Sequence, residues 1–164
     1  MFDGRRSVFE RKRTVKVLLS IDDSVHSQAA TRAAIAQFRP EGTEVRVLTV
    51  VEWPPDLPDS LAFTPAAMSG GPIEDLHEKT RRQAQDLVAR TAQQLRAATF
   101  GVSQEIREGD ARQVILECAA EWKPDVIVLG SHGRTGLDRF LIGSVSENVI
   151  RHAPCSVEVV RSVQ

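Results

Sequence analysis

Two hydrophobic periods alternate along this chain. Short apolar runs rich in β-branched residues, which are typical of buried strands, occupy residues 15–21, 45–51, 102–107, 126–129 and 157–160. Between them apolar residues recur at helical spacing, which predicts helices over residues 25–38, 73–98, 109–122 and 144–151. Five prolines and two glycines fall within residues 53–72, which predicts a long irregular loop that acts as a lid or stays disordered.

The order of these elements predicts the fold class. Strand and helix alternate from the first strand to the fifth, and parallel strands need crossover connections of this kind. We therefore expect an α/β fold: a single doubly wound five-stranded parallel sheet, Rossmann-like, with helices on both faces and strand order 3-2-1-4-5. The 164 residues suit one such domain, which we expect at residues 14–164. Ligands of such sheets bind beyond the carboxyl ends of the strands, which directs attention to Asp22, to Val50 and to the loop after Leu129.

Composition and charge limit the partners and the location. With 21 basic and 22 acidic side chains the net charge is close to zero, so we expect neither nucleic acid nor a membrane as a partner. Basic residues crowd a tail at residues 1–13, for which a flexible, solvated segment is favoured over a nucleic-acid-binding or docking arm. No apolar stretch reaches the roughly 20 residues that cross a bilayer, and no secretory signal pattern is present. Cys118 and Cys155 form no CxxC pair and are interpreted as small buried hydrophobic residues, so a cytoplasmic location is expected.

The segment after the fourth strand has the frame G-x2-G-x9-G-S, from Gly130 to Ser144. Gly130 leaves a strand, where its missing side chain would let a ligand approach the backbone, and Gly133 permits a turn with positive φ. Gly143 and Ser144 lie where the next helix begins, so unpaired N–H groups and the positive end of the helix dipole are available there. The hydroxyls of Ser144 and Ser146 would complete a phosphate cradle. Two simpler roles stand beside this one: glycines that only form turns, and Ser144 as the helix cap in a capping box at residues 144–147.

This frame resembles the signature G-x2-G-x9-G-[ST] of the universal stress protein family, and residues 130–134, G-S-H-G-R, form its familiar opening. A second likeness is the segment H-A-P-C-S-V at residues 152–157, which is similar to the family's approach to its last strand. The resemblance extends from about residue 14 to residue 160. The complete glycine frame places the chain with the ATP-binding subgroup of that family.

The resemblance implies a regulatory or stress-response module that binds an adenine nucleotide, either ATP or else ADP or AMP. It also implies a homodimer that pairs through the last strand, between Val157 and Val160. In such proteins the aspartate after the first strand lies near the adenine or ribose, a valine of the second strand touches adenine, and the glycine loop holds the phosphates. The residues expected to hold the nucleotide are Ser20, Ile21, Asp22, Val50, Leu129, Gly130, Gly133, Arg134, Gly143, Ser144, Val145 and Ser146.

Several candidate residues have competing roles. Either Asp22 or Asp23 suits the N-cap of the first helix, and we assign Asp22 to the ligand and Asp23 to the cap. His132 has no second histidine at ligand spacing, because the other three fall in separate elements, so no metal site is expected. Arg134 and Arg139 are candidates for neutralising phosphate charge.

Hydrolysis has little support in the sequence. The loop is not G-x4-G-K-[ST], so the lysine that reaches the β- and γ-phosphates in that motif is missing. No carboxylate is obviously placed to hold a cation or orient water, although Asp138 lies inside the loop. We therefore expect no catalytic residue and at most slow hydrolysis, and a role for Mg²⁺ or Mn²⁺ beside the nucleotide stays open.

Two other function classes remain as alternatives. One is a slow ATPase. The other is a dimeric protein-interaction module without nucleotide, which the edge formed by the last strand would serve. An adenylating enzyme is disfavoured, because residues 20–24, S-I-D-D-S, lack the glycines of the Ser-Gly-Gly-x-Asp-Ser loop that such enzymes carry after the first strand.

Overall fold

A computed structural model of the chain describes residues 13–52, 71–133 and 142–162. The elements, in chain order, are β1 (Val15–Ser20), α1 (Val25–Gln37), β2 (Thr43–Val51), α2 (Gly71–Ala97), β3 (Gly101–Glu108), α3 (Ala111–Trp122), β4 (Val126–Gly130), α4 (Ser144–His152) and β5 (Ser156–Val160). All four strand pairings are parallel and the sheet order is β3-β2-β1-β4-β5. The predicted fold class and strand order are confirmed.

Helices cover both faces of the sheet, because side chains of a strand alternate between the faces. Leu19 of β1 packs with Ala30 of α1 and Val88 of α2 on one face. Its neighbour Leu18 points the other way and packs with Ile115 of α3, in a layer that α4 completes. This alternation fixes the register of β1 between its two neighbours.

The helix ends follow their sequence signals closely. Asp110 caps α3, and its carboxylate accepts the backbone N–H of Arg112. The hydrogen bond from the Arg112 side chain, against a small opposing effect of burial, lowers the pKa of Asp110 to about 2. Helix α2 begins at residue 71, two residues before the predicted start, and Pro72 is tolerated there because the first turn of a helix leaves its N–H groups unpaired.

The two cysteines differ in their surroundings, and those of Cys118 are not purely apolar because its Sγ donates to Oε2 of Glu105 at 3.6 Å. Cys118 is fully buried on α3, and Cys155 is half-buried just before β5. Burial raises the pKa of both thiols. Both cysteines are free.

The sheet reverses its order between β1 and β4, which are neighbours in space although three helices and two strands separate them in sequence. The carboxyl ends of these two strands therefore form the crevice where a doubly wound sheet binds ligands. Within the described ranges, no helix is both long enough and apolar enough to span a bilayer. Predictions that concern residues 1–12, residues 53–70, Arg134, Asp138 and Arg139 lie outside the described residues.

Candidate functional site

Asp22 is held in a defined turn directly after β1. Its Oδ1 accepts hydrogen bonds from the backbone N–H of Ser24, at 3.1 Å, and from the hydroxyl of Ser27, at 2.6 Å. The Ser27 hydroxyl in turn accepts the backbone N–H of Asp22, at 2.9 Å. With Oδ1 engaged in this way, Oδ2 is the oxygen that faces the glycine loop, since a Cβ added to Gly133 would stand 3.0 Å from it.

The N-cap of α1 is Ser24, whose hydroxyl accepts the backbone N–H of Ser27 at 3.1 Å. The assignment of Asp23 to this cap was therefore wrong by one residue. Both residue types cap well, and the choice depends on where the chain turns into the helix. Because Asp22 makes an Asx-type turn onto Ser24, the helix begins one residue later than expected.

A cleft of about 250 Å³ opens beside Asp22 at the carboxyl ends of β1 and β2. The strand side of the cleft includes Val50, so the two residues predicted to approach the base lie in one cleft. The opposite wall belongs to α2 and was missed by the sequence interpretation. Its residues are Thr80, Gln83, Ala84, Asp86, Leu87 and Arg90.

The α2 wall follows from topology. A helix that follows β2 runs back antiparallel to the strands, so its first half flanks the carboxyl edge of the sheet. Ala84 of this helix is 7% exposed, so it packs in the core and also lines the cleft. The polar residues of α2 that line the cleft were the sequence signal from which this wall could have been found.

Ser20 and Ile21, two of the residues predicted to hold the nucleotide, lie at the end of β1 next to Asp22. Ile21 is 5% exposed, donates its N–H to the carbonyl of Leu48 and accepts the hydroxyl of Thr49. Its side chain and both backbone groups are thereby committed to the core. Ser20 is the last residue of β1 and is half-buried. Ile21 therefore fixes the position of Asp22 and offers no free polar group.

Gly130 ends β4 under the first turn of α1. A Cβ there would stand 2.8 Å from the backbone carbon of His26 and 3.0 Å from the nitrogen of Ser27. The missing side chain therefore makes room for α1, and the contact of Gly130 with a ligand stays a prediction. Leu129, which precedes Gly130, is 4% exposed and packs in the core beneath α3 and α4.

Gly143 closes the glycine segment onto its own beginning. Its N–H donates to the carbonyl of Ser131 at 2.8 Å, and a Cβ on Gly143 would stand 3.2 Å from that oxygen and 3.3 Å from Cα of His132. Only a residue without a side chain fits this contact without displacement. Gly133 does not use the positive φ that glycine permits, since the described glycines with positive φ are Gly42 and Gly109.

Helix α4 begins next to this closure with free backbone donors. Its N-cap is Gly143, and no side chain makes a capping hydrogen bond. The alternative role of Ser144 as the cap is therefore wrong, because Ser144 is the first helical residue. The first N–H groups of a helix have no intrahelical partner, and those of Ser144, Val145 and Ser146 form an anion-binding end with the helix dipole.

The side chains of this first turn are less available than its N–H groups. The hydroxyl of Ser146 is buried and donates its proton to the carbonyl of Gly130, at 2.8 Å. Val145 packs against the core under α4. Ser144 alone is exposed, so the cradle predicted from two hydroxyls consists of one hydroxyl and the backbone donors.

Two histidines meet at the base of the loop. The ring centroids of His26 and His132 are 5.1 Å apart, and the Ser131 hydroxyl lies 3.4 Å and 3.1 Å from their Nδ1 atoms. The sequence interpretation kept these histidines apart because they belong to separate elements. Across the described ranges, no three side chains of the His, Cys, Asp and Glu types are grouped as a metal site would require.

Comparison with known proteins gives a family match over nearly the whole domain. The profile of the Universal stress protein family matches residues 14–161. A universal stress protein of Methanocaldococcus jannaschii is 34% identical over 148 residues, which cover 89% of this chain and 81% of the relative. The solved structure of universal stress protein UspA from Lactobacillus plantarum has a TM-score of 0.75 and is 26% identical, and the match covers 91% of this chain and 99% of that chain.

Three further solved structures of this fold contain adenine nucleotides. An Arabidopsis thaliana family protein with AMP bound is 17% identical with a TM-score of 0.65, over 91% of this chain and 92% of that chain. A universal stress protein in complex with cAMP is 22% identical with a TM-score of 0.63, over 91% and 98%. The Archaeoglobus fulgidus protein in complex with dAMP is 15% identical with a TM-score of 0.61, over 89% and 97%.

Proposed function

The chain belongs to the universal stress protein family, and on that premise we propose that it binds an adenine nucleotide, with the base in the cleft and the phosphates at the start of α4. The observation that carries the proposal is the position of Asp22. This residue lines the cleft, and its Oδ2 faces Gly133 at the start of the glycine loop. The carboxylate of Asp22 therefore borders both a cleft large enough for a base and the glycine loop that leads to the N-terminus of α4. It does so at the point where the strand order of the sheet reverses.

The cleft and the start of α4 differ in charge, and this difference would decide which end of the nucleotide binds at each of them. Three carboxylates, those of Asp22, Asp23 and Asp86, line the cleft together with a single guanidinium, that of Arg90. This excess of negative charge repels phosphate and favours a neutral group with N–H or O–H donors, such as the base and ribose of adenosine. The free N–H groups of α4 attract the phosphates, so the nucleotide has one preferred direction in the site.

We propose ATP as the main ligand, with ADP and AMP as weaker ones, since each phosphate adds an acceptor for the backbone donors. Binding would stabilise one conformation of the protein, and the surface of that conformation would serve as a regulatory signal for a partner. The structures solved with AMP, cAMP and dAMP support the adenine part of this proposal. No described set of side chains is assigned to Mg²⁺ or Mn²⁺, and turnover is expected to be slow for want of a phosphate-binding lysine. The two free thiols agree with a cytoplasmic location, which we also propose.

The test compares two glycine-to-valine variants. In Gly143→Val the added side chain would collide with the Ser131 carbonyl, whereas at Gly101 the only atom within 4 Å of an added Cβ is the Thr43 carbonyl, at 3.9 Å. Gly101→Val is therefore the matched control, at the start of β3. Protein purified from cells is denatured and the released molecules are identified by mass spectrometry, and calorimetry then measures binding of adenosine, AMP, ADP and ATP.

The proposal expects nucleotide from the wild type and from Gly101→Val, with affinity rising from adenosine to ATP. Gly143→Val should retain its circular dichroism spectrum and lose at least about tenfold in ATP affinity, as the loss of one or two hydrogen bonds to a charged group predicts. Absence of both released nucleotide and heat of binding in the folded wild type would overturn the proposal.

We also propose that the protein forms a homodimer through β5. Among the described residues, β5 pairs only with β4, so its outer edge carries unpaired backbone groups. Val160 directs its carbonyl inward to the N–H of Ser131, and the N–H of Val159 therefore points outward. Val159→Pro removes that donor at an edge, where proline is tolerated. Sedimentation should detect a dimer for the wild type and a monomer for Val159→Pro, and a monomeric wild type would exclude the dimer.

A further inference from the structure

The ring of His26 lies where three segments meet. It projects from the first turn of α1, and its Nδ1 is 3.3 Å from the backbone nitrogen of Ser162 and 3.1 Å from the hydroxyl of that residue, beyond β5. The same atom is 3.4 Å from the hydroxyl of Ser131, at the start of the glycine loop. One imidazole nitrogen therefore contacts both the end of the described chain and the base of the loop.

The contact with Ser162 assigns the proton of His26. A backbone N–H is a donor only, so Nδ1 must offer its lone pair, and the ring proton is on Nε2. The two neighbouring hydroxyls can turn to donate or to accept, but the backbone N–H cannot. An imidazolium carries protons on both nitrogens, so protonation replaces this hydrogen bond with two donors that face each other.

Ser131 is the residue that would transmit this change. It is fully buried, its N–H donates to the carbonyl of Val160 at 2.8 Å, and its own carbonyl accepts the N–H of Gly143 at 2.8 Å. The segment from Val160 to Ser162 is therefore bonded to His26 at one end and to Ser131 at the other. A shift of this segment removes the support of the bond that closes the glycine loop.

We propose that His26 is a positioning residue for the phosphate-binding loop, and that its protonation weakens nucleotide binding. The proposal rests on the proposed function, because it concerns the regulation of that same site. Neutral His26 holds the segment after β5 against Ser131, and the imidazolium releases it. Nucleotide affinity should therefore be lower at mildly acidic pH than at neutral pH.

Charged groups of both signs lie near His26. The amino end of α1 carries partial positive charge, and Arg161, which precedes Ser162, adds a full positive charge to the surroundings of His26. The ring of His132, 5.1 Å away on the loop, adds a second positive charge if it is protonated. The carboxylates of Asp22 and Asp23 before α1 oppose these effects, although Oδ1 of Asp22 is already engaged by Ser24 and Ser27.

His132 adds a second reason for sensitivity to acid. Its Nε2 is buried and has no hydrogen-bond partner among the described residues. A proton on this atom would be an N–H without a hydrogen-bond partner among the described residues, which is unfavourable at a buried position.

The experiment uses the full chain and three histidine variants. His26→Asn places an amide oxygen close to the position of Nδ1, so it accepts the Ser162 N–H at every pH. His26→Ala removes the acceptor. His152→Asn is the matched control, because His152 is exposed at the far end of α4 and its Nδ1 lies 2.9 Å from the Asn148 carbonyl. Calorimetry measures ATP affinity at about pH 7.5 and about pH 5.5, and the titration of ATP itself is common to all variants.

The wild type and His152→Asn should lose about fivefold more affinity on acidification than His26→Asn, as the worth of one hydrogen bond predicts. His26→Ala should bind weakly at both pH values. Equal pH profiles for the wild type and His26→Asn would overturn the proposal. A general folding defect is distinguished because His26→Asn should keep wild-type affinity at neutral pH.

A second readout needs no nucleotide. Hydrogen exchange of the Ser162 and Gly143 amides, corrected for the intrinsic effect of pH, should accelerate in acid in the wild type and stay constant in His26→Asn. If ATP does not bind at all but this exchange difference appears, the proposed function fails and the histidine contact is retained. If ATP binds and no exchange difference appears, the inference about His26 fails alone.

Discussion

Oδ2 of Asp22 stands 3.0 Å from the position that a methyl group on Gly133 would occupy. The two residues belong to different parts of the sequence, yet the carboxyl end of β1 and the exit of β4 bring them into contact across the switch point of the sheet. A side chain at residue 133 would press on the one carboxylate oxygen that the turn after β1 leaves for a ligand. The glycine at this position is explained by space and not by a positive φ.

Replacing Asp22 with asparagine should separate its two roles. The amide oxygen of Asn retains the bonds from Ser24 and Ser27, so the free energy of unfolding should change by less than about 1 kcal/mol. The amide nitrogen replaces Oδ2 with a donor, and ATP affinity should fall about tenfold. Asp75→Asn, an exposed change on α2, is the control in the same calorimetric titration. Unchanged affinity in Asp22→Asn would assign Asp22 to the turn alone.

An alanine at residue 130 should destabilise the fold. The added methyl would collide with the backbone of His26 at 2.8 Å, and backbone atoms of a packed helix cannot move aside freely. We expect a loss of about 1–3 kcal/mol, the usual effect of overpacking. Urea unfolding measures it, with Gly101→Ala as the control, since space is available there. Equal midpoints for the two variants would contradict the close packing of α1 on β4.

The buried hydroxyl of Ser146 should contribute to stability, unlike that of its neighbour. Ser146→Ala removes the donor to the Gly130 carbonyl and should lower the free energy of unfolding by about 1–2 kcal/mol. Ser144→Ala, at an exposed position directly after the cap residue Gly143, should change it by less than about 0.5 kcal/mol. Chemical denaturation of both variants provides the comparison, and a larger effect at Ser144 would indicate that Ser144 caps the helix after all.

Asp110 should make a small contribution to stability that depends on pH. Its pKa falls from 3.8 to about 2 in the folded protein, chiefly through its hydrogen bond with Arg112. A lowered folded pKa means that the contribution is complete above pH 3.8 and disappears as the pH falls through about 2. Because the pair lies near the surface, the contribution should be below about 1 kcal/mol.

Asp110→Asn tests this dependence, because asparagine also caps helices but does not ionise. The difference in unfolding free energy between the wild type and Asp110→Asn should be measurable at neutral pH and should vanish at the acid end of a urea series. A difference that persists unchanged at low pH would show that the charge of Asp110 is not its source.

The fold was predictable because its signals are local. Each run of β-branched residues became a strand, and the buried pair of Ile127 and Val128, both 0% exposed, confirms the strand covered on both faces. The alternation of strands and helices then left one natural topology. Among the site residues, Asp22 and Val50 were placed correctly at one edge because the carboxyl ends of parallel strands lie together.

The errors concern contacts between distant segments. No residue close to Gly130 in the sequence indicates that the backbone of His26 lies against it. Likewise, the two histidines that meet at the base of the loop are 106 residues apart in the sequence. The misassigned cap of α1 has another origin, since Asp23 and Ser24 are both suitable and helix boundaries are uncertain by a residue or two from sequence. These contacts and the position of the N-cap therefore depend on steric fit and on where the chain turns, which residue types alone do not indicate.

The bond between the Gly143 N–H and the Ser131 carbonyl has a consequence for protein engineering. It brings the start and the finish of the intervening segment to one place on a rigid sheet, so a foreign sequence inserted there would begin and end at fixed points. The entropy of closing such a loop rises slowly, by about 0.6 kcal/mol for each doubling of its length. The domain therefore offers a grafting position for recognition peptides whose length can be varied without rebuilding the scaffold.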